Sequence, residues 1–362
     1  MRPLSIVFIG LSLSSSWGNG HATTYRALLR GLAAEGHEVL FLERDVPWYA
    51  AHRDLPTPNF CRLAYYRSVA GLNRFLPDIR SADAVIIGSY VPDGKAVIDW
   101  LAAMQPRLLC FYDIDTPVTL ASLARGEREF LAPEQVELFD VYFSFSGGHV
   151  LDRLEGEFGA RSAKALYCSV DHKAYKPTGE PPVWDLGYLG TYSPDRQPKI
   201  ERLLLEPARR LPNRRFVVAG AQYPLDIAWP DNVERIEHLP PEEHASFYSR
   251  QRFTLNVTRD DMVAAGWSPS VRLFEAGACG TPLISDHWQG IEDIFPPGES
   301  IILASDGSTV IDTLVSTTEE RRQSIARAAR MRVLDRHTGR ARAGELVRMI
   351  EAARAERLEK VG

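Results

Sequence analysis

Short apolar runs alternate with amphipathic helical patterns along nearly the whole chain. In the first half, the alternation predicts strands at Ile6–Ile9, Glu38–Leu42, Ala84–Ile87, Arg107–Tyr112, Val141–Phe145 and Lys164–Cys168. Between these strands it predicts helices at His21–Glu35, Lys95–Met104 and Gly148–Phe158. Near-continuous apolar strands with interleaved helices are typical of a parallel sheet that is covered by helices on both faces.

The second half repeats this alternation. The pattern predicts strands at Leu186–Leu189, Arg215–Ala219, Val233–Glu237, Phe253–Val257, Pro282–Ser285 and Ser300–Leu303. It predicts helices at Lys199–Arg210, Glu242–Arg250, Val271–Cys279 and Gly290–Ile294, followed by a helical tail at Thr317–Lys360. The predicted fold class is therefore α/β, with two successive doubly wound, Rossmann-like domains.

A proline-rich stretch separates the two series. Residues 171–182 contain three prolines and few apolar side chains, which is typical of a linker. We therefore expect an N-terminal domain at residues 1–170 and a second domain at residues 183–337. The 362-residue length fits two domains.

Composition and charge narrow the class of protein. Hydrophobic residues make up 45% and charged residues 25%, which excludes a mainly disordered or fibrous chain. A formal net charge of -5 disfavours nucleic acid as a partner. The four cysteines form no CxxC pair, and no apolar run is long enough to span a bilayer. We interpret Met1–Gly10 as a first strand rather than a signal peptide, and we expect a cytoplasmic protein.

The most informative segment for chemistry is Gly266–Asp286. Ser268 is a good N-cap and Pro269 a good first helical residue, so we expect a helix whose N-terminus favours an anion. Arg272 and Glu275 lie three residues apart and share one helix face. A carboxylate at Glu275 could accept two hydrogen bonds from a vicinal diol such as ribose, and Arg272 could contact a phosphate. The alternative is an ordinary Arg–Glu pair on the helix surface.

This segment carries a resemblance to a known family. Phe274–Ile284, with the sequence FEAGACGTPLI, resembles the donor-site signature of GT-B glycosyltransferases of the group-1/family-4 kind. Ser169–Pro177 is similar to the connector between the domains of these enzymes, and Gly20–Val39 to their first helix. Pro269–Glu275, together with Phe111–Pro117, resembles the CgeB-type branch more closely.

The resemblance implies a GT-B fold in which two Rossmann-like domains face a central cleft. It implies that the N-terminal domain binds the acceptor, that the second domain binds a nucleotide sugar, and that residues 338–362 return to the first domain. The family glutamate that holds the ribose corresponds to Glu275. The family often carries another glutamate eight positions earlier, near the sugar, and this chain has Trp267 there.

Further candidates for the donor site follow the predicted strands of the second domain. Gly190 and Arg196 follow the first strand, where the related enzymes place a basic residue against the donor pyrophosphate. A guanidinium suits that role, although Arg196 could equally be an exposed arginine at a helix start. Gly220 would allow close approach of the backbone, and His238 and Leu239 are candidates to border the nucleotide base. Such sites lie outside the carboxyl ends of strands in doubly wound sheets.

In the first domain, a loop joins the first strand to the first helix. Gly18, Asn19 and Gly20 could approach a sugar or a phosphate closely. His21 is a candidate general base or partner of a sugar hydroxyl, although such a histidine more often caps or packs.

Two carboxylates follow the predicted strand that ends at Tyr112. Asp113 and Asp115 are candidate acceptor-site or general-base groups, or caps of the helix that starts near Thr116. GT-B enzymes do not depend on the divalent ion that DxD-containing transferases use, so the resemblance implies no metal site and no cofactor.

These candidates predict a metal-independent glycosyltransferase that moves a sugar from a nucleoside diphosphate to an acceptor. Arg196, Arg272 and the helix that starts at Ser270 would neutralise the leaving diphosphate. Two alternatives stay open. One is a non-catalytic nucleotide- or glycan-binding protein derived from a transferase, which Trp267 favours. The other is an NAD(P)-dependent oxidoreductase, which the doubly wound pattern and the two glycines allow.

The arginine-rich tail allows two interpretations. Its arginines could cover a solvated helix face packed on the domains, or they could give weak contact with an acidic membrane surface.

Overall fold

The computed structural model describes residues 2–17 and 20–361, with side chains described as far as residue 359. The chain divides into two compact units. One unit consists of Met1–Ser169 and Thr338–Gly362, and the other of Val170–His337. The acceptor and donor roles assigned to the two domains stay predictions.

The first unit is built on a parallel sheet. Its strands are β1 (Ser5–Gly10), β2 (Glu38–Arg44), β3 (Arg62–Tyr66), β4 (Ala84–Gly88), β5 (Leu109–Asp113), β6 (Val141–Ser144) and β7 (Ala163–Ala165). The strand order is β3-β2-β1-β4-β5-β6-β7, so the winding reverses at β1. Phe8 of β1 pairs with Phe41 on one side and with Ile86 on the other, and all three are buried.

Helices cover this sheet. They are α1 (Gly20–Ala34), α2 (Pro47–Ala50), α3 (Leu76–Ser81), α4 (Gly94–Met104), α5 (Thr116–Ala124), α6 (His149–Gly156) and the C-terminal helix (Gly339–Val361). Two 3₁₀ turns lie at Val69–Phe75 and Pro133–Leu138. The C-terminal helix packs along α1 and contributes Leu346 and Ile350 to the core of this unit.

Two glycines allow the C-terminal helix to approach α1. A Cβ atom on Gly31 would lie 2.1 Å from the carbonyl oxygen of Gly339, and one on Gly339 would lie 2.0 Å from the carbonyl oxygen of Ala27. Any side chain at either position would push the two backbones apart. The close approach therefore requires glycine on both helices.

The second unit has its own parallel sheet. Its strands are β8 (Trp184–Leu189), β9 (Phe216–Ala219), β10 (Val233–Ile236), β11 (Gln251–Asn256), β12 (Leu283–Ser285) and β13 (Ile302–Leu303), in the order β10-β9-β8-β11-β12-β13. Its helices are α7 (Gln197–Ile200), α8 (Glu206–Arg210), α9 (His244–Ser249), α10 (Asp260–Ala265), α11 (Val271–Ala278), α12 (Ile291–Ile294), α13 (Gly307–Ser316) and α14 (Glu319–Arg336).

Several sequence-based expectations need correction. Strand β3 was not expected, because Arg62–Tyr66 is an edge strand whose side chains are mostly half-exposed and form no continuous apolar run. The strand expected at Lys164–Cys168 ends at Ala165. The helix expected at Lys199–Arg210 begins at Gln197 and passes through a π-helical turn at Glu201–Leu205 before α8.

Many arginines of the tail bind backbone carbonyl groups. Arg330 donates to the carbonyl oxygen of Ala278, and Arg332 to those of Ile294 and Asp293. These bonds fit the interpretation of a helix packed on its own unit, and contact with a membrane surface stays a prediction. Among the described helices, we find none with the length and apolar character of a membrane span.

Gly31→Ala should destabilise the protein, because its methyl group would collide with the backbone of the C-terminal helix. We expect a loss of about 1–3 kcal/mol in the free energy of unfolding. The matched control is Gly156→Ala at the end of α6, where a Cβ atom would meet nothing within 4 Å. Urea unfolding of both variants measures the difference, and an equal effect in both would contradict the close approach.

Candidate functional site

A buried arginine connects the ends of two neighbouring strands in the second unit. Arg272, the second residue of α11, is 8% exposed. Its Nε donates to the carbonyl oxygen of Leu189 at the end of β8, and its Nη1 donates to Oδ1 of Asn256 at the end of β11, at 2.9 Å. The guanidinium carbon lies 4.8 Å from the centre of the Tyr188 ring. Arg272 is therefore fixed at the carboxyl ends of the strands.

A second buried arginine lies near the first. Arg196 is 9% exposed and caps the N-terminus of α7. Its Nη2 donates to the carbonyl oxygen of Thr191 at 2.6 Å, while its buried Nε has no hydrogen-bond partner among the described residues. Burial, and to a smaller degree the positive charges of Arg272 and Arg259, lower the pKa of Arg196. The alternative of an exposed arginine at a helix start is therefore wrong.

The two guanidinium groups lack balancing charges. Within the described residues, no carboxylate lies at ion-pair distance from Arg196 or Arg272. Burial of unpaired charges is costly, and an anion between such groups would remove most of that cost. The arrangement therefore favours a multiply charged anion such as a diphosphate, which guanidinium groups bind through paired hydrogen bonds.

Gly190 and Gly220 lie beside the guanidinium group of Arg272 and the loop that follows β8. A Cβ atom on Gly190 would lie 2.8 Å from Nη2 of Arg272, so a side chain there would displace the guanidinium. Gly220 has a φ of +146°, and a Cβ atom on it would lie 2.0 Å from the carbonyl oxygen of Gly190. The close backbone approach expected at Gly220 is therefore an approach to the loop that follows β8.

The start of α11 differs from the expectation. The structure places the N-cap at Ser270 and begins the helix at Val271, so the assignment of Ser268 as N-cap and Pro269 as first helical residue is wrong. Ser268 is buried, and its hydroxyl donates to the carbonyl oxygen of Gly266 at 2.7 Å. Trp267 adopts a φ of +38° and donates its N–H to Gln289, which holds a turn in front of the helix.

Glu275 lies one helical turn after Arg272. It is 6% exposed, and its Oε2 accepts a hydrogen bond from the Tyr248 hydroxyl at 3.1 Å. Both Arg272 and Glu275 are buried, and they form no ion pair with each other in the described structure, so the alternative of an exposed surface pair is wrong. The carboxylate and the guanidinium therefore stay available for a ligand.

The residues predicted near the base follow β10. His238 is exposed and Leu239 is half-buried. The carbonyl oxygen of Leu239 lies 3.3 Å from Nε2 of His244, whose Nδ1 lies 3.2 Å from the Tyr175 hydroxyl. The sequence did not single out Tyr175, His244 or Tyr248.

The first unit brings together two of its three predicted catalytic residues. The His21 ring lies edge-on to the Tyr90 ring, with 5.5 Å between ring centres, and the Tyr90 hydroxyl donates to Oδ2 of Asp115 at 3.3 Å. Burial lowers the pKa of His21 to about 4, so its imidazole is neutral at pH 7. Tyr90 follows the end of β4, a position that could have marked it, and has a φ of +60°.

Asp113 takes a different position. It is fully buried and accepts hydrogen bonds from the hydroxyl groups of Tyr142 and Thr119 and from the backbone N–H of Asp115. Burial raises the pKa of Asp113 to about 6. Asp115 occupies the N-cap of α5, but its side chain makes no capping hydrogen bond. Asp113 is therefore part of an internal network that holds the start of α5.

Hydrogen bonds to Glu43 fix the first part of the loop that precedes α1, before its glycines. Glu43 is fully buried, and its carboxylate accepts the backbone N–H groups of Leu13 and Ser14 at 2.7 and 2.9 Å. Gly18 and Asn19 lie outside the described residues, and Gly20 is the first residue of α1. Among the described residues, no cluster of three His, Cys, Asp or Glu side chains could hold a metal ion.

A family model agrees with the donor-site resemblance. The model described as "Glycosyl transferase-like" matches residues 196–348. That range contains Arg196, Arg272 and Glu275. None of the curated proteins compared with the chain gives a significant sequence match.

Solved structures of glycosyltransferases share the fold. A sucrose-phosphate synthase from Thermosynechococcus elongatus matches with a TM-score of 0.67 and 15% identity, over 97% of this chain and all of that one. HepE from Anabaena, in complex with UDP-glucose, matches with a TM-score of 0.66 and 12% identity, over 96% of this chain and all of that one. An alpha-glucosyltransferase in complex with UDP-glucose and DNA matches with a TM-score of 0.69 and 14% identity, over 96% and 98% of the two chains.

These matches confirm the predicted GT-B fold class. The CgeB-type branch stays a prediction.

The stability of the protein should depend on the protonation of His21. Its pKa is about 4 in the folded chain and 6.5 ordinarily, so the unfolded chain binds more protons between these values. The contribution of His21 should therefore fall as the pH drops from 7, by about 2 kcal/mol at pH 5. Asp113 acts in the opposite direction, because its raised pKa favours the folded chain below about pH 6.

The difference between wild type and His21→Gln isolates the histidine. We expect urea unfolding of His21→Gln to lose less stability between pH 7 and pH 5 than wild type does. His172→Gln, at an exposed position, is the control and should follow wild type. Parallel curves for wild type and His21→Gln would show that His21 is not held neutral by burial.

Proposed function

We propose that the protein transfers a glycosyl group from a nucleoside-diphosphate sugar to an acceptor. The observation that carries this proposal is the pair of buried guanidinium groups, Arg196 and Arg272, without carboxylate partners among the described residues. Arg272 lies one helical turn before Glu275. A nucleoside diphosphate offers the two groups that these side chains suit, a diphosphate and a ribose diol. The matching family model covers all three residues.

The residues divide the work of donor binding. Arg196 and Arg272 neutralise the diphosphate, which is also the leaving group, so they stabilise the charge that develops as the glycosidic bond breaks. Glu275 accepts hydrogen bonds from the ribose hydroxyl groups. Because arginines supply the positive charge, the proposal requires no divalent ion.

The first unit supplies the proposed acceptor site. His21, Tyr90 and Asp115 offer a neutral imidazole, a phenol and a carboxylate within one cluster. These groups suit hydrogen bonding to a hydroxyl acceptor, and Asp115 is the candidate base.

A second candidate is a binding protein that has lost turnover. Trp267 occupies the position where the related family often has a glutamate. Its Nε1 donates to Oδ2 of Asp293 at 2.8 Å. Its ring covers Gly290, where an added Cβ atom would lie 2.3 Å from Cδ1 of Trp267. Donor binding without transfer or hydrolysis, across a panel of acceptors, would favour this candidate.

Glu275→Ala should weaken donor binding by about 10- to 100-fold, because it removes charged hydrogen bonds to the ribose. The measurement is calorimetric titration of UDP, GDP, ADP, dTDP and NAD into wild type and variant. Binding of one diphosphate that the variant loses would support the proposal. Binding of NAD alone would indicate an oxidoreductase instead, and equal affinities in the folded variant would reject the role of Glu275.

Arg196→Gln should distinguish the contribution of the phosphate groups to binding from that of the nucleoside. We expect it to lower the affinity for the nucleoside diphosphate by about 10-fold or more, because one charged hydrogen-bond donor is lost, and to leave the affinity for the free nucleoside unchanged. Arg210→Gln, on the exposed end of α8, is the control and should bind both ligands as wild type does. Equal losses for nucleoside and diphosphate would contradict a phosphate contact.

A further inference from the structure

A buried tyrosine holds the carboxylate of Glu275. Tyr248 has no exposed surface, and its hydroxyl donates to Oε2 of Glu275 at 3.1 Å. Burial, together with the nearby charge of Glu275, raises the pKa of Tyr248 well above its ordinary value. The hydroxyl therefore keeps its proton and stays a donor.

A second tyrosine lies between Glu275 and a histidine. The Tyr175 hydroxyl is 3.2 Å from Nδ1 of His244 and also interacts with the Glu275 carboxylate. The residue is 7% exposed, and burial is the main reason why the pKa of Tyr175 is raised. A phenol has a single proton, so Tyr175 can donate to His244 or to Glu275 but not fully to both.

The backbone of Leu239 decides between these two partners. Its carbonyl oxygen lies 3.3 Å from Nε2 of His244 and can only accept, so Nε2 carries a proton. When the ring carries this single proton, Nδ1 is an acceptor, and the Tyr175 hydroxyl donates a hydrogen bond to it. Tyr248 then donates to Oε2 of Glu275 and orients the carboxylate.

We propose that Tyr248, Tyr175 and His244 are positioning residues that orient Glu275 towards a ribose diol and join it to the Leu239 segment. This inference rests on the proposed function. One carboxylate oxygen is held by Tyr248, and the other accepts from the ligand, so the diol finds its acceptor already oriented. The site should therefore select ribonucleoside diphosphates over their 2′-deoxy counterparts, because the deoxy sugar keeps only its 3′-hydroxyl and loses one of the two hydrogen bonds that a diol can donate to the carboxylate.

The test compares ribo and deoxy ligands. UDP, GDP and ADP are titrated into the full-length protein beside dUDP, dGDP and dADP. Wild type should prefer the ribo form of the base that it binds by about 10- to 100-fold. Tyr248→Phe should reduce that preference by about fivefold through weaker ribo binding alone, with deoxy binding within about twofold of wild type.

Two further variants ensure that the test does not depend on Tyr248→Phe alone. Tyr175→Phe should also reduce the ribo preference, since it removes the hydroxyl that interacts both with the Glu275 carboxylate and with His244. In the Glu275→Ala background, Tyr248→Phe should change the preference no further, because its effect passes through Glu275. Tyr66→Phe is the matched control, because its buried hydroxyl lies in the other unit and has no partner among the described residues.

The outcomes separate the two levels of the proposal. If wild type binds none of the diphosphates, the proposed function fails. If it binds ribo and deoxy forms equally, or if both tyrosine variants keep the wild-type preference while folded, the donor site stands and the positioning role is overturned. A parallel loss of ribo and deoxy binding in Tyr248→Phe would also overturn it, since that is the result of a merely structural role.

Discussion

The candidate donor site depends on the burial of two guanidinium groups that have no carboxylate partner. Desolvation of an unpaired charge costs several kcal/mol, and the protein offsets part of it with oriented dipoles. The carbonyl oxygens of Leu189 and Thr191 and the side-chain amide of Asn256 accept from Arg272 and Arg196, and the Tyr188 ring lies against Arg272. The remaining field of the two cations is the physical basis for the proposed binding of a diphosphate.

This constraint explains the composition of the segment that resembles a donor-site signature. Arg272 and Glu275 occupy one face of α11, and every residue of the helix after Val271 is buried. A Cβ atom on Gly277 would lie 2.9 Å from Val333 of α14, so glycine is required for the contact between the two helices. The small residues of the segment therefore serve the packing that fixes the helix, and its charged residues are those to which the proposal assigns the ligand.

The fold followed from the sequence to a large extent because its signals are local. Buried parallel strands form apolar runs, and most of them, including β1, β4 and β11, lie within two residues of their predicted bounds. The start of α11 was not predicted correctly from the sequence, because it depends on a backbone hydrogen bond between Trp267 and Gln289, which are far apart in the sequence. Strand β3 was not predicted, because its own side chains are mostly half-exposed and form no apolar run. Its extended conformation is stabilised by pairing with β2.

Residues of the candidate site could be predicted only where a charged side chain lies in a segment that resembles a known donor site or follows a predicted strand. Arg196, Arg272 and Glu275 met that condition, and the structure places all three as buried side chains of the second unit. The network around Glu275 did not meet that condition. Tyr175 comes from a connecting segment, and His244 and Tyr248 come from α9; no charge or spacing in these segments indicates a contact with Glu275. Their common property is the contact with Glu275 or with one another, which arises only when distant segments fold together.

The two units differ in the charge of their candidate sites, and this difference bears on how each could be used. The second unit presents two unpaired cations, which favour a multiply charged ligand. In the first unit, burial keeps His21 neutral at pH 7 because its pKa is about 4, and its cluster contains a phenol and a carboxylate. A diphosphate would be repelled by Asp115, whereas a neutral hydroxyl group could donate to it. The electrostatics therefore favour a charged donor in one unit and a hydroxyl acceptor in the other.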